Sequence, residues 1–239
     1  MNPVQINNVD HADLRVSPSA GAAYGDAVNQ ALVFPAEFEE LQREFPIIFR
    51  RRESGIQAYA LLGLDRDENL YLSGSRWTSR YVPATHQRGP FSIGMAAGDG
   101  QDEPEPMILL DMDDPRVGHA DGIPVFLQHG GNSPYLNRIS AVLRLLLKQT
   151  RTAPAAYAAF EQAGLLSEVT LSIDVSDDRR YTVPDVLIVD MERLAAIKGE
   201  ALDRLYGSGL LRLAILASAS LGNIQQLIAR KQALLYPSG

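Results

Sequence analysis

The spacing of the apolar residues changes near residue 130, and this change most restricts the folds open to the chain. Upstream, "IIFRRR" (47–52), "QAYALLGL" (57–64), "PFSIGMA" (90–96), "PMILLDM" (106–112) and "GIPVFLQ" (122–128) are apolar runs of strand length, separated by turn-forming sequence. In "GGNSPYLNRISAVLRLLLKQ" (130–149) the residues Leu136, Ile139, Val142, Leu143 and Leu146 fall on one helical face. Ser133 is placed to cap that helix and Pro134 to occupy its first position. The expected class is therefore α+β, with a mixed, mostly antiparallel sheet in the N-terminal half and centre and helices concentrated in the C-terminal half.

Other stretches fill in this outline. Residues 1–30 mix Asn, Asp, Ser, Pro, Ala and Gly without a sustained period and are expected to form an extended N-terminal arm. "FPAEFEELQREFP" (34–46) places Phe38, Leu41 and Phe45 at helical spacing between prolines, which predicts a short amphipathic helix. "DRDE" (65–68) makes a charged turn into "NLYL" (69–72), and "AGDGQDEPE" (97–105) is a polar loop. Beyond the capped helix, "AAYAAFEQAGLL" (155–166) predicts a second helix stopped by Gly164. "VTLSIDV" and "YTVPDVLIVD" flank "SDDRR" as a hairpin, and Asp190 can cap a helix from Met191. Two helices separated near "GSG" (207–209) end the chain. No compositional break marks a linker, so residues 1–239 are expected to form a single domain.

The bulk numbers exclude several classes of function. The chain has 239 residues and a formal charge of −7, with 46% hydrophobic and 21% charged residues, an ordinary globular composition. Without a long Lys/Arg run, no nucleic-acid partner is expected, and any anion site must be local. Cysteine is absent, which removes disulfides, thiolate metal sites and cysteine nucleophiles. The N-terminus lacks the basic head and apolar run of a secretory signal. The longest apolar stretch, near Leu210 to Leu221, is interrupted by Arg212 and too short to span a membrane. These features lead to the expectation of a soluble, cytoplasmic protein, with the cell surface reached by a signal-independent route as the alternative.

Against this acidic background "SRWTSRYVPATHQRGPF" (75–91) stands apart, because it contains no Asp or Glu. Arg76, Arg80 and Arg88 supply charge and Trp77, Tyr81 and Phe91 supply rings, a combination common at interface hot spots. On a strand, Arg76 and Arg80 would share one face and Trp77 and Tyr81 the other. Two guanidinium forks can grip a carboxylate or phosphate of a partner. The competing and commoner outcome is internal ion pairing with "DRDE", "DGQDEPE" or "DMDD".

The ordered set "HADLRV", "FPAEFEELQREFPIIF", "ALLGLDRDENLYL", "RWTSRYVPATHQRGPF" and "GLLRLAILASASLGNIQQLIARK", above all a Trp followed by "YVPA" and then "PF", resembles the SapC family of bacterial proteins over nearly the whole chain. The resemblance brings no catalytic residue set, so Trp77, Tyr81, Pro83, Pro90 and Phe91 are signature positions without an assigned role. The resemblance implies a link to a bacterial surface-layer system; joined to the reading of the basic aromatic segment, it leads to the expectation of a non-enzymatic binding or accessory protein that meets a protein or peptide partner through Arg76, Trp77, Arg80, Tyr81, Arg88 and Phe91. No cofactor is implied.

The rival is a metal-dependent oxygenase or tailoring enzyme, since the family's genes also lie near halogenase-like genes. His11-Ala-Asp13 and His119-Ala-Asp121 each supply two ligands of a facial triad, but a third is required from a chain whose only other histidines are His86 and His129. Asp111, Asp113 and Asp114 end an apolar strand where such a group can hold Mg²⁺, although Asp-Asp-Pro is equally good turn sequence. "HGGNSP" lacks the phosphate-loop pattern and there is no G-x-S-x-G elbow. The small residues Ala217, Ser218, Ala219, Ser220 and Gly222 suit close helix packing, either within the core or in a homo-oligomer through the C-terminal helix.

Overall fold

The computed structural model describes residues 2–95 and 106–236; the loop expected at 97–105 lies outside the described residues. The chain groups into two compact units, each assembled from three separate stretches of sequence. The first comprises Met1–Asp26, Gly74–Arg76 and Ala84–Lys148, and the second Ala27–Ser73, Trp77–Pro83 and Gln149–Gly239.

In the first unit, strand Pro106–Asp111 lies between Pro3–Gln5 and Phe91–Met95, antiparallel to both. A second, two-residue ladder joins Arg15–Val16 to Ile123–Pro124. The expected N-terminal arm is thus tied down by strand pairing at two places, and its Val16 is fully buried. The expected strand over 122–128 shortens to Ile123–Pro124: Val125 N–H still donates to the Leu14 carbonyl, but Leu14 N–H turns back to His11 and the pairing ends there. Phe91, Leu110, Val125, Phe126, Leu136, Ile139 and Leu143 complete the core with Val16. Gly94 sits under Leu109 in this sheet, where a Cβ would lie 2.8 Å from Leu109 Cδ1 and oblige that side chain to move.

The second unit is built on a five-stranded antiparallel sheet in the order Leu166–Ser176, Arg179–Val189, Ile47–Arg52, Gly55–Leu61, Gln30–Val33. Its core is aromatic. Phe49 meets Phe38, Tyr157 and Phe160 edge-to-face at 6.2, 5.6 and 6.1 Å between ring centroids, the geometry that the ring quadrupole favours. The hydroxyl of Tyr157 donates to the Val33 carbonyl at 3.2 Å, and burial pushes its pKa well above the ordinary phenol value. Helix Leu210–Ser220 lays Ala214, Ala217, Ser218 and Ser220 on the sheet. Ser220 Oγ accepts from Ile47 N–H at 2.8 Å; of the small residues, Ala217, Ser218 and Ser220 serve burial within the unit, while Ala219 and Gly222 are exposed.

The α+β class is as expected, but the helices differ in their limits. Pro134–Gln162 is one helix of 29 residues running through Pro154, where two were expected. Its start follows the cap, with Ser133 Oγ accepting from Leu136 N–H at 3.2 Å. Its end follows Gly164, at φ +67°, with Leu165 N–H returning to the Phe160 carbonyl. The C-terminal region forms four helices, Met191–Ala196, Glu200–Gly207, Leu210–Ser220 and Ile224–Leu235. Asp190 caps the first by accepting from the N–H groups of Glu192 and Arg193. The additional breaks fall at Gly199, with φ +61°, and at the 3₁₀ turn Leu221–Asn223. Among the described residues no single helix is long and apolar enough to cross a membrane.

The aromatic contacts of Phe49 yield a direct expectation. Phe49→Ala should destabilise the protein by about 3–5 kcal/mol in chemical denaturation, the range for deleting a fully enclosed ring.

Candidate functional site

The segment from Arg76 to Phe91 is not a strand beyond Arg76–Trp77, and a helical turn, Ala84–Gln87, interrupts it. The alternating faces expected of it therefore do not form. Trp77, Arg80 and Tyr81 belong to the second unit, and Arg76, Arg88 and Phe91 to the first.

In the second unit, residues 77–83 form a loop held by its backbone. Thr78 N–H donates to the Tyr71 carbonyl at 2.7 Å, and Arg230 reaches Thr78 Oγ1 at 3.1 Å while stacking over the Tyr71 ring at 4.2 Å. Glu44 Oε2 accepts from the N–H of Arg80 at 2.8 Å and of Tyr81 at 3.4 Å. Glu37, only 2% exposed, accepts the Tyr81 hydroxyl on Oε1 at 3.1 Å and Phe34 N–H on Oε2 at 3.0 Å. Both carboxylates come from "FPAEFEELQREFP", where the sequence reading treated them as the polar side of a short helix. The retrievable signal was Glu37 three residues beyond Phe34, the spacing at which a glutamate closes back on the first turn of a helix.

These contacts fix the loop backbone and leave the Arg80 guanidinium exposed. Neither Arg80 nor Arg76, also exposed, has an ion-pair partner among the described residues. Trp77 is half-buried. The acids expected to pair with these arginines are engaged elsewhere. In the second unit, Asp65 and Glu68 both bind the ammonium of Lys231, which is 4% exposed, with the Asp65 contact at 2.6 Å. Burial alone would lower the Lys231 pKa; the two carboxylates reverse that and hold it above the ordinary lysine value. In the first unit, Asp114 chelates Arg116 through contacts of 2.9 and 2.7 Å, and Asp111 accepts from Asn2 N–H at 2.7 Å. Burial would raise the Asp114 pKa, but the hydrogen bonds and charge of Arg116 hold it below the usual carboxylate range. The "DGQDEPE" acids lie outside the described residues.

Two expected contact residues turn inward. Phe91 is 0% exposed and packs edge-to-face on Tyr135 at 5.9 Å, so its ring is core and cannot anchor a partner. Arg88 donates to the Phe91 carbonyl at 2.8 Å, and burial, followed by the nearby charge of Arg116, lowers its pKa. Arg88 is a brace for the first unit. The reason is local: Gly89, at φ +54°, ends the helical turn and leads directly into the sheet strand that begins at Phe91.

The histidines do not assemble with their carboxylates. His11 Nδ1 accepts from Asn7 N–H at 3.3 Å, His119 bonds the Pro115 carbonyl through Nε2, and His86 Nδ1 lies 2.8 Å from Asp26 Oδ1. Among the described residues no three His, Asp or Glu side chains come together as a metal-binding group.

Arg80 and Tyr81 should separate experimentally. Tyr81→Phe, which removes the donor facing buried Glu37, should cost about 1–3 kcal/mol in urea unfolding. Arg80→Ala should stay within about 0.5 kcal/mol of the parent.

Compared with known proteins, the chain matches the family model described as SapC over residues 6–227. No curated protein and no solved structure matches it.

Proposed function

This chain belongs to the SapC family, and we propose that it works there as a non-enzymatic binding or accessory protein that holds a protein or peptide partner. The observation that carries this reading is the state of Arg80: an exposed guanidinium with no ion-pair partner among the described residues, on a loop whose backbone is already fixed by Glu44, Tyr71 and Arg230. Arginine contributes disproportionately at interface centres because its planar fork can form paired hydrogen bonds to a carboxylate and its face can stack on rings. A loop ordered in advance loses less conformational entropy on binding, so more of the contact energy appears as affinity.

The partner that suits this loop is one with exposed carboxylates. The half-buried indole of Trp77 offers apolar area in the same loop. In the first unit Arg76, exposed and without an ion-pair partner among the described residues, has the same chemistry. The roles first expected for Arg88 and Phe91 pass out of this proposal, since both side chains serve the interior of the first unit.

The test is retention of a specific protein by the tagged full chain in its native cells, identification of that protein, and titration with purified components. Arg80→Glu is expected to weaken the measured affinity at least about tenfold, the loss typical of an interface arginine. Its melting temperature should stay within about 2 °C of the parent. Unchanged affinity in both Arg80→Glu and Arg76→Glu would overturn the proposal.

A further inference from the structure

A pocket of about 600 Å³ in the first unit is lined by none of the residues of the Arg80 loop and falls within the size range of small-molecule sites. One wall is apolar, formed by Ile123, Pro124, Phe126 and Leu127, and Leu127 keeps half of its surface in water. Two arginines line it as well, Arg15 and Arg138. Arg15 donates one N–H to the Gly122 carbonyl at 2.8 Å, leaving most of its fork uncommitted. Neither guanidinium has an ion-pair partner among the described residues. Tyr135 adds a hydroxyl that makes no hydrogen bond among the described residues. Burial keeps that phenol protonated, hence a donor, above its ordinary range.

We propose that this pocket binds a small monocarboxylate with an apolar body, the carboxylate held by Arg15 and Arg138 and the body lying on Ile123, Pro124, Phe126 and Leu127. Charge complementarity identifies the head group: two unpaired guanidiniums face a pocket in which Asp13 is the one acid of the lining, leaving a net positive site in an acidic protein. The backbone excludes an extended peptide as the favoured occupant. Along this wall Val125 N–H goes to the Leu14 carbonyl, Leu127 N–H to Gly131 and Ser133 N–H to Val125, while Pro124 and Pro134 have no N–H. A bound strand would find no row of free donors there, whereas a compact ligand with one charged end needs none.

The experiment uses the full chain with octanoate and 1-octanol as probes, followed by calorimetry and by amide chemical shifts. Octanoate should bind saturably at one site, at least about tenfold more tightly than the uncharged alcohol. Arg138→Gln, on an exposed helical position, should weaken octanoate at least about tenfold with unchanged melting temperature, and Arg15→Gln should do the same. Asp13→Asn should tighten it by removing a like charge. Equal binding of acid and alcohol, parental affinity in Arg138→Gln, or no saturable octanoate binding would overturn the proposal. Tighter competition by an N-acetylated apolar tripeptide with a free C-terminal carboxylate would also overturn it, in favour of a chain terminus.

Discussion

A carboxylate shut away from water has to be fully engaged, and Glu37 meets that requirement by joining two stretches of the second unit that are far apart in sequence. Its oxygens accept Phe34 N–H and the Tyr81 hydroxyl, while Glu44, one helical segment further on, accepts the backbone of Arg80 and Tyr81. An unpaired ionised group in such surroundings would cost several kcal/mol. The strand entry at Phe34, the short helix after it and the loop of Arg80 therefore stand together. The exposed guanidinium on that loop belongs to the same arrangement: Glu44 accepts the main-chain N–H groups of Arg80 and Tyr81 and makes no ion pair with the Arg80 side chain.

The chain's negative charge is distributed with similar economy. Asp65 and Glu68 enclose Lys231, Asp114 enclasps Arg116, Asp190 caps a helix and Asp174 pairs with Arg180. Asp65, Glu68, Asp111 and Asp114, which looked like counter-ions for any arginine, are committed to local tasks. Arg15, Arg76, Arg80 and Arg138 are among the arginines that have no such acid among the described residues, and what sets them apart is where they stand: Arg76 and Arg80 in one short basic aromatic stretch of the sequence, Arg15 and Arg138 on the lining of one pocket.

Local chemistry was the legible part of the sequence. Ser133 and Pro134 marked a helix start, Gly164 its end, Asp190 another cap, and the alternation around "SDDRR" an 11-residue hairpin on each side of the turn. The stretch between "GGNSPYLNRISAVLRLLLKQ" and "AAYAAFEQAGLL" was the illegible part of this helix, which continues through Pro154 because the flanking turns are held by packed residues such as Ala153, Tyr157 and Phe160. The basic aromatic segment was read correctly as unusual and incorrectly as uniform. Its Arg76 and Arg80 project into water, while Phe91 enters the core, a difference decided by the glycine turn before Phe91 and by glutamates some forty residues away. No composition shift betrayed the two units because their sequences interleave: each is completed by residues on both sides of the other, so there is no linker to find.

That interleaving has a consequence during synthesis. Strands Gln30–Val33, Ile47–Arg52 and Gly55–Leu61 leave the ribosome early, but the strand that covers the Phe49 edge, Arg179–Val189, follows only roughly 120 residues later, on the order of ten seconds at ordinary translation rates. For that interval an apolar sheet edge is unsatisfied in the nascent chain. The order in which this polypeptide is made thus creates a window in which a chaperone, or crowding by neighbouring nascent copies, would bear on its yield more than the stability of the finished fold does.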